Sequence, residues 1–278
     1  MQLTLRHSQI MPDVYATIAG ADRQTQERLA AILELRASDQ QQRAIVDAYL
    51  ADREIAGSAR VLDIGCGTGF VTRALARLPG VVNAVGVDLS PVFLAKAREL
   101  SAALDNVEFH EADARSLPFA AQDFDVVVFH TTLTHVPEAE RALSEAFRAL
   151  RPGGKVAVCD GDYSTISVAN GEWDPLQTCI EAAKAAFIHD LWLTRRMPAL
   201  LRSVGFCSVQ TKSHGYLQIS QSEYMASLID RGADHLSSTK RIGSELCASL
   251  KAEARRRVKA GEFFGFIGFV SFRAAKRA

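Results

Sequence analysis

The stretch VLDIGCGTG, at Val61–Gly69, decides the fold of this 278-residue chain. Its first half is a short apolar strand with a carboxylate at Asp63, and three glycines follow at alternate positions. Glycine has no Cβ, so the backbone can turn sharply out of a strand and approach a ligand closely before the next helix begins. The stretch therefore predicts a strand, a ligand-binding loop and a helix, and it favours a nucleoside as the ligand.

The strands predicted downstream end in polar residues. The apolar run Val82–Val87 ends at Asp88, nineteen residues after Gly69. This is close to the ~20-residue interval at which an acidic group meets ribose hydroxyls. The run Phe124–Phe129 is apolar enough for burial on both faces of a parallel sheet, and it opens into His130. Open α/β sheets bind ligands at the carboxyl ends of their strands, so these polar side chains are expected to share one site.

Five segments between residues 59 and 163 resemble, in order, the motifs of the class I S-adenosylmethionine-dependent methyltransferases. Besides the glycine loop and the strands that end at Asp88 and His130, they include EADA at 111–114 and LRPGGK at 150–155. The resemblance implies an α/β, Rossmann-like class I methyltransferase fold. Such a fold has a seven-stranded, mostly parallel sheet with an antiparallel last strand and a helical lid. The aromatic segment Phe263–Phe272 has the composition expected of that last strand.

The same resemblance implies S-adenosylmethionine as the cofactor and S-adenosylhomocysteine as the product. It assigns the adenine amino edge to Asp113 and the backbone amide of Ala114, and the methionine carboxylate to Arg36. Tyr15 is a candidate for a lid over the ligand. The predicted cofactor-binding residues are Asp63, Gly65, Cys66, Gly67, Gly69, Asp88, Leu89, Asp113, Ala114, His130, Arg36 and Tyr15.

Several of these residues have a purely structural alternative. Asp88 can belong to the cap of the helix that begins near Ser90, and Asp113 can be an ordinary loop carboxylate. Arg36 can be solvated with its stem on apolar surface. A lone histidine at a strand end, as at His130, is often a hydrogen-bonded core group.

Methyl transfer makes few demands on catalytic residues. A sulfonium methyl group is already an electrophile, so the protein mainly holds the nucleophile in line with it and excludes water. A hydroxyl acceptor also needs a base, and the candidates near the expected pocket are His130, His135, Asp162 and Tyr163. An amine or an enol-like carbon can react through positioning alone. His130 can instead orient the methionine part of the cofactor or contact the acceptor.

Composition and charge argue against several other functions. Lysine plus arginine equals aspartate plus glutamate at 32 each, so no overall field favours nucleic acid or an anionic membrane. The five cysteines are widely spaced without a C-x-x-C pair, which indicates reduced core residues and no zinc or redox site. Residues 1–7 lack a signal-peptide pattern, and no apolar run approaches the ~18 residues of a membrane span. We expect a cytoplasmic enzyme without a metal, membrane insertion or a nucleic-acid partner.

The chain is expected to form a single domain over residues 1–278, since no repeat or composition break divides it. The predicted parts are an N-terminal helical cap at 1–56, a cofactor-binding core at 57–165, and lid helices with closing strands at 166–278. Within the lid, Ser220–Lys259 is predicted to be helical, with a break around Gly232.

These observations favour a small-molecule methyltransferase similar to enzymes of quinone biosynthesis or secondary metabolism, with O-, N- or C-methylation left open. The absence of a cysteine cluster argues against an arsenite acceptor. One alternative is a nicotinamide-dependent Rossmann oxidoreductase, although no third glycine stands in the register that its loop needs. Another is a catalytically silent S-adenosylmethionine-binding protein. The expected partner is a small-molecule methyl acceptor, and the expected assembly is a monomer or homodimer.

Overall fold

A computed structural model describes residues 13–51, 57–219 and 223–278. The strands are β1 (Ala59–Ile64), β2 (Val81–Asp88), β3 (Val107–Glu111), β4 (Phe124–His130), β5 (Leu150–Ser167), β6 (Cys207–Gln218) and β7 (Gly265–Ala275). The helices are α1 (Arg23–Ser38), α2 (Gln40–Leu50), α3 (Phe70–Ala76), α4 (Pro91–Leu100), α5 (Ala139–Ala149), α6 (Pro175–Phe187), α7 (Leu193–Val204), α8 (Glu223–Ser238) and α9 (Ser244–Ala260). The predictions made for residues 1–7 fall outside the described ranges.

The seven strands form one sheet in the order β3-β2-β1-β4-β5-β7-β6. Strands β1 to β5 run parallel, and β7 is antiparallel to both β5 and β6. The predicted seven-stranded sheet with an antiparallel last strand is therefore confirmed. The chain order reverses between β1 and β4, and such a switch point opens a crevice at the carboxyl ends of the two strands. Because Ile64 pairs with Phe129, the glycine loop and His130 leave the sheet side by side.

Successive side chains of a strand point to opposite faces of the sheet. Helices cover both faces, so the central strands are buried on both sides. Val61 and Val128 belong to the apolar cluster shared with α2, α3, α6 and α8. Leu62 and Val127 belong to the cluster on the other face, which α5 and α7 cover. The continuous apolar runs in the sequence thus correspond to strands between two helical layers.

The N-terminal helices are fixed to the far end of the sheet. One carboxylate oxygen of Asp39 caps α2 by accepting from two backbone amides, and the other accepts from Tyr216 Oη at 3.0 Å and Gln218 Nε2 at 2.8 Å on β6. The side-chain amide of Gln41 donates to the carbonyl oxygen of Leu217 and accepts from its N–H. Helix α2 therefore covers part of the edge strand β6 by hydrogen bonding.

The predicted helix break around Gly232 is wrong, because α8 runs through this glycine and ends at Ser238. A turn at 239–243 separates α8 from α9 instead. Gly232 serves close packing of α8 on α6, since a Cβ there would lie 1.8 Å from the backbone oxygen of Cys179. No helix in the described ranges is long and apolar enough to cross a membrane.

Gly232→Ala is expected to destabilise the fold even though alanine is the better helix former. The propensity gain is about 1 kcal/mol. Forcing a methyl group against a backbone carbonyl moves two packed helices apart, and overpacking of this kind costs about 1 to 3 kcal/mol. Chemical denaturation of Gly232→Ala should show a lower free energy of unfolding than wild type. Gly171→Ala, where a Cβ meets nothing within 4 Å, is the control. A Gly232→Ala protein as stable as its control would contradict the packing role.

Candidate active site

A cavity opens at the carboxyl ends of β1, β2 and β4. Its walls are the glycine loop, the ends of these strands, α1 and the lid helices α6 and α8. Thirteen of the predicted site residues line it: Tyr15, Arg36, Asp63, Gly65, Cys66, Gly67, Asp88, Leu89, Asp113, Ala114, His130, His135 and Tyr163. The cavity thus brings together residues that lie more than 200 positions apart in the sequence, such as Tyr15 and Arg231.

Two predicted residues do not line the cavity. Gly69 stands at the start of α3 with a φ of 80°, where a Cβ would crowd Phe109 at 3.0 Å. The Asp162 carboxylate accepts from Arg195 Nε at 2.9 Å and from Ser164 Oγ at 2.5 Å. Neighbouring side chains on a strand point in opposite directions, so when Tyr163 faces the cavity Asp162 turns away from it. The expectation that Asp162 is a candidate base at the pocket is corrected by this placement.

The glycine loop is held by Asp88. One Asp88 oxygen accepts from the backbone N–H of Gly67 at 2.9 Å, and the other accepts from that of Ser90 at 2.9 Å. Ser90 itself caps α4, because its hydroxyl accepts from the N–H of Phe93. Burial raises the pKa of Asp88, while the backbone amides oppose that rise. Asp88 is therefore not the cap residue of α4; it lies at the cavity wall beside the loop.

Asp63 is a buried carboxylate with an incomplete set of partners. One of its oxygens accepts from Thr72 Oγ1 at 2.7 Å, and the other has no hydrogen-bond partner within the described structure. Burial raises the pKa of Asp63 to about 7, the Thr72 hydrogen bond opposes this, and the negative charge of Asp88 adds to the rise. When Asp63 is ionised, one of its two buried oxygens therefore has no hydrogen-bond donor within the described structure.

This raised pKa predicts a pH-dependent stability of the ligand-free protein. The folded state keeps a proton on Asp63 that the unfolded chain releases near its ordinary pKa of ~3.9. Protonated Asp63 therefore favours the folded state, and this contribution to the free energy of unfolding is lost as the pH rises from about 4 to about 7. Asp63→Asn removes this loss. At about pH 8 the variant should unfold with a free energy roughly 2 to 4 kcal/mol above wild type. Denaturation curves for both proteins at several pH values test this, and parallel pH profiles would contradict it.

His130 lies between an arginine and a tyrosine. Its Nε2 is 3.2 Å from Arg36 Nη2, and its Nδ1 is 3.1 Å from Tyr49 Oη. A guanidinium can only donate, so Nε2 accepts and Nδ1 carries the proton in this arrangement. Burial, reinforced by the Arg36 charge, lowers the pKa of His130 well below its ordinary value, so the ring is neutral at pH 7. Both ring nitrogens are therefore engaged, Nε2 with Arg36 and Nδ1 with Tyr49.

Arg36 has no carboxylate partner within 4 Å among the described residues, although it lines the cavity. Next to it, Gln42 accepts from Arg36 Nε at 3.4 Å and keeps a buried amide nitrogen without a partner. These donors fit a ligand carboxylate, and the unpartnered Asp63 oxygen fits a ligand ammonium. The residues present thus suit the amino-acid end of S-adenosylmethionine. At the adenine end, the Asp113 carboxylate lines the cavity but pairs with Arg115 at 2.7 Å, which lowers its pKa.

A second histidine, itself half-buried, pairs with a buried aspartate. His135 Nδ1 lies 2.6 Å from Asp13 Oδ2, and Asp13 also accepts from the backbone amides of Tyr15 and His189. Nε2 of His135 has no hydrogen-bond partner within the described structure, and His135 lines the cavity. Buried Asp160 accepts from both the amide and the hydroxyl of Thr134 and so fixes the turn that carries His135.

Sequence patterns did not point to several residues of this site. Asp13, Gln42, Tyr49 and Arg231 lie at no motif, and Asp13, Tyr49 and Arg231 meet their partners only across large sequence separations. The sequence placed Gln42 and Tyr49 in the predicted N-terminal helical cap and Arg231 in the helical segment Ser220–Lys259, without assigning a role to any of them. Tyr163 was predicted, and burial raises its pKa well above its ordinary value, so its phenol stays protonated.

Comparison with known proteins agrees with the fold described above. Residues 61–154 match the family model of a methyltransferase domain. A 2-phytyl-1,4-naphtoquinone methyltransferase of Thermosynechococcus vestitus is 40% identical over 115 residues, which are 41% of this chain and 51% of that protein. An arsenite methyltransferase of Halobacterium salinarum is 34% identical over 155 residues, which are 54% of this chain and 38% of that protein. The chain thus spans about half or less of the length of these relatives.

Solved structures share this fold. The crystal structure of a putative methyltransferase from Bacillus halodurans superimposes with a TM-score of 0.58 at 21% identity, covering 84% of this chain and 99% of that one. Since the matched domain is a methyltransferase domain, the nicotinamide oxidoreductase alternative loses its support. Residues 61–154 thus match a methyltransferase domain, and the order of the seven-stranded sheet is that of the class I methyltransferase fold.

Proposed function

We propose that this protein transfers the methyl group of S-adenosylmethionine to a hydroxyl oxygen of a small molecule, with His135 as the general base. The observation that carries this proposal is the pair of His135 and Asp13 at the wall of the cavity, with Nε2 of the histidine free of any partner in the described structure. A base is needed for a hydroxyl acceptor, whereas an amine can react without one.

Three side chains and the backbone of the glycine loop are suited to hold the cofactor. Asp88 and the loop at Gly67 would take the ribose side, while Arg36 and Asp63 would take the carboxylate and ammonium of the methionine end. The bound cofactor supplies an electrophilic methyl group on a sulfonium. His130 would not act as a base, because its Nε2 lone pair accepts from Arg36; it would orient that arginine instead.

The Asp13 carboxylate sets the state of His135. A carboxylate at Nδ1 accepts a hydrogen bond from the ring N–H, which keeps the proton on Nδ1 and leaves the lone pair on Nε2 available to a substrate hydroxyl. The imidazolium that forms when His135 takes a proton would be stabilised by the same carboxylate. Asp13 is thus a positioning residue that acts through His135, and Asp160 acts one step further out through Thr134.

Two mass-spectrometric measurements test the proposal. Protein purified gently from cells should carry an adenosyl nucleoside, which native mass spectrometry detects. Incubation with S-adenosylmethionine bearing a deuterated methyl group and a cellular small-molecule extract should then yield a labelled product, whose fragmentation places the methyl on oxygen. Nucleoside binding with no labelled product in any extract would favour the catalytically silent alternative. Transfer to nitrogen or carbon would contradict the role of His135.

The acceptor remains a small molecule within this proposal. The naphthoquinone and arsenite acceptors in the names of the relatives belong to proteins that this chain covers only in part. The expectations of a cytoplasmic location, of a monomer or homodimer and of no nucleic-acid partner stay predictions, and so does the division of the chain into cap, core and lid.

A further inference from the structure

The cavity contains a second arginine that the proposed cofactor does not use. Arg231, on α8, lines the cavity, and its guanidinium carbon lies 4.4 Å from the ring centroid of Phe187 and 5.8 Å from that of Tyr15. A guanidinium that stacks on aromatic rings keeps its N–H donors in its plane, free for hydrogen bonds at its edges. Among described residues, no carboxylate lies within 4 Å of it, and buried Nη2 has no acceptor.

The other cations of the cavity wall have partners or an assigned role. Arg115 pairs with Asp113, and Lys184 pairs with Glu181. Arg36 is suited to the single carboxylate that S-adenosylmethionine carries. Arg231 is therefore left as a half-buried positive charge without compensation. Of the residues outside the described ranges, the sequence offers only Asp52 and Glu54 as acids, and neither 1–12 nor 220–222 contains one.

The position of Arg231 places it at the acceptor end of the cavity. The ring of Tyr15 lies 4.9 Å from the ring of His135, and the same Tyr15 ring is the second aromatic contact of Arg231. The proposed base and the unpaired cation therefore flank one tyrosine. The lid also contributes apolar side chains to the cavity lining, namely Phe187, Ile188 and Leu228.

We propose that the methyl acceptor carries a carboxylate that pairs with Arg231, on an apolar body that also bears the hydroxyl to be methylated. This inference rests on the proposed function and names the class of its acceptor. A carboxylate matches the planar fork of a guanidinium with two parallel hydrogen bonds, which adds geometric selection to the charge. The aromatic and aliphatic walls bury the body of the same molecule.

The test uses matched acids and amides on the protein loaded with S-adenosylhomocysteine. The probes are 4-hydroxybenzoate, 4-hydroxyphenylpropanoate and 4-hydroxycinnamate, each beside its carboxamide, with binding measured by calorimetry. We expect at least one acid to bind wild type roughly 10- to 100-fold more tightly than its amide, since hydrogen bonds to charged groups are worth that much. The Arg231→Met variant should lose the preference, and Arg231→Lys should restore part of it.

Arg195→Met is the matched control. Arg195 also stacks on an aromatic ring, that of Trp192 at 4.5 Å, but it is exposed, pairs with Asp162 and does not line the cavity. This variant should keep the wild-type preference. The inference is overturned if no acid is preferred over its amide in wild type, or if the preference survives in Arg231→Met. Failure of wild type to bind S-adenosylhomocysteine at all would instead refute the proposed function.

Discussion

Gly67→Val is expected to weaken the binding of S-adenosylhomocysteine by at least ~100-fold while the protein stays folded. Gly67 lines the cavity with a φ of 53°, and a Cβ there would point to the tip of Leu33, 2.9 Å away on the opposite wall. Leu33 can move, so the folded state survives. The isopropyl group would occupy space between the loop and α1 that the ligand needs. Calorimetric titration measures the affinity, and circular dichroism reports the fold.

The destabilisation caused by the left-handed backbone conformation must be distinguished from the loss of ligand binding. A β-branched residue at positive φ costs about 1 to 3 kcal/mol of stability wherever it stands. Gly153→Val is a suitable control, because Gly153 has a φ of 78°, lies outside the cavity lining and would place its Cβ in open space. Both variants should lose similar stability, and only Gly67→Val should lose the ligand. Native affinity in Gly67→Val would mean that the loop is only a turn.

His135→Gln is expected to lower turnover by roughly 10²- to 10⁴-fold with cofactor affinity nearly unchanged. Glutamine keeps a polar group at the site but cannot take the hydroxyl proton. Asp13→Asn should lower turnover by a smaller factor, about 10- to 100-fold, because the amide no longer stabilises the protonated ring. Single-turnover rates, measured with the acceptor found by isotope labelling, give these values, and titration with S-adenosylhomocysteine gives the affinities.

His130→Gln provides the comparison for the two histidines. Because His130 accepts from Arg36, its loss should weaken cofactor binding first and affect the chemical step only through that binding. The assignment of roles fails if His130→Gln lowers the single-turnover rate at saturating cofactor while His135→Gln does not. Equal turnover in His135→Gln and wild type would return His135 to a structural role.

Local patterns predicted the parallel core of the fold well. The apolar runs before Asp88 and His130 are strands whose ends meet at one edge of the sheet. They could be predicted because a buried parallel strand is a short, nearly continuous apolar run that is recognisable from a few residues. The closing strand could be placed from its aromatic and β-branched content. Glycine at 232 was misleading, since a glycine within a helical segment can signal either a break or a close approach of two helices.

The acceptor half of the cavity could not be predicted in the same way. Asp13 pairs with a histidine 122 positions away, and Arg231 meets the aromatic rings of Tyr15 and Phe187 only in the folded chain. Such contacts depend on how the lid packs over the sheet, and no periodicity encodes that packing. The proposed nucleoside site follows a motif, whereas the proposed acceptor site rests on tertiary contacts.

The hydrogen bonds between α2 and β6 have a consequence for exchanging acceptor specificity between relatives. Asp39 and Gln41 bind the chain at Tyr216, Leu217 and Gln218, so two segments distant in sequence behave as one block. A chimera that receives a foreign β6 and lid but retains the original N-terminal helices would leave unmatched polar groups along the sheet margin. Recombination should therefore transplant the first two helices together with β6, and the crossover points should fall in the cofactor-binding core, where the parent sequences resemble each other.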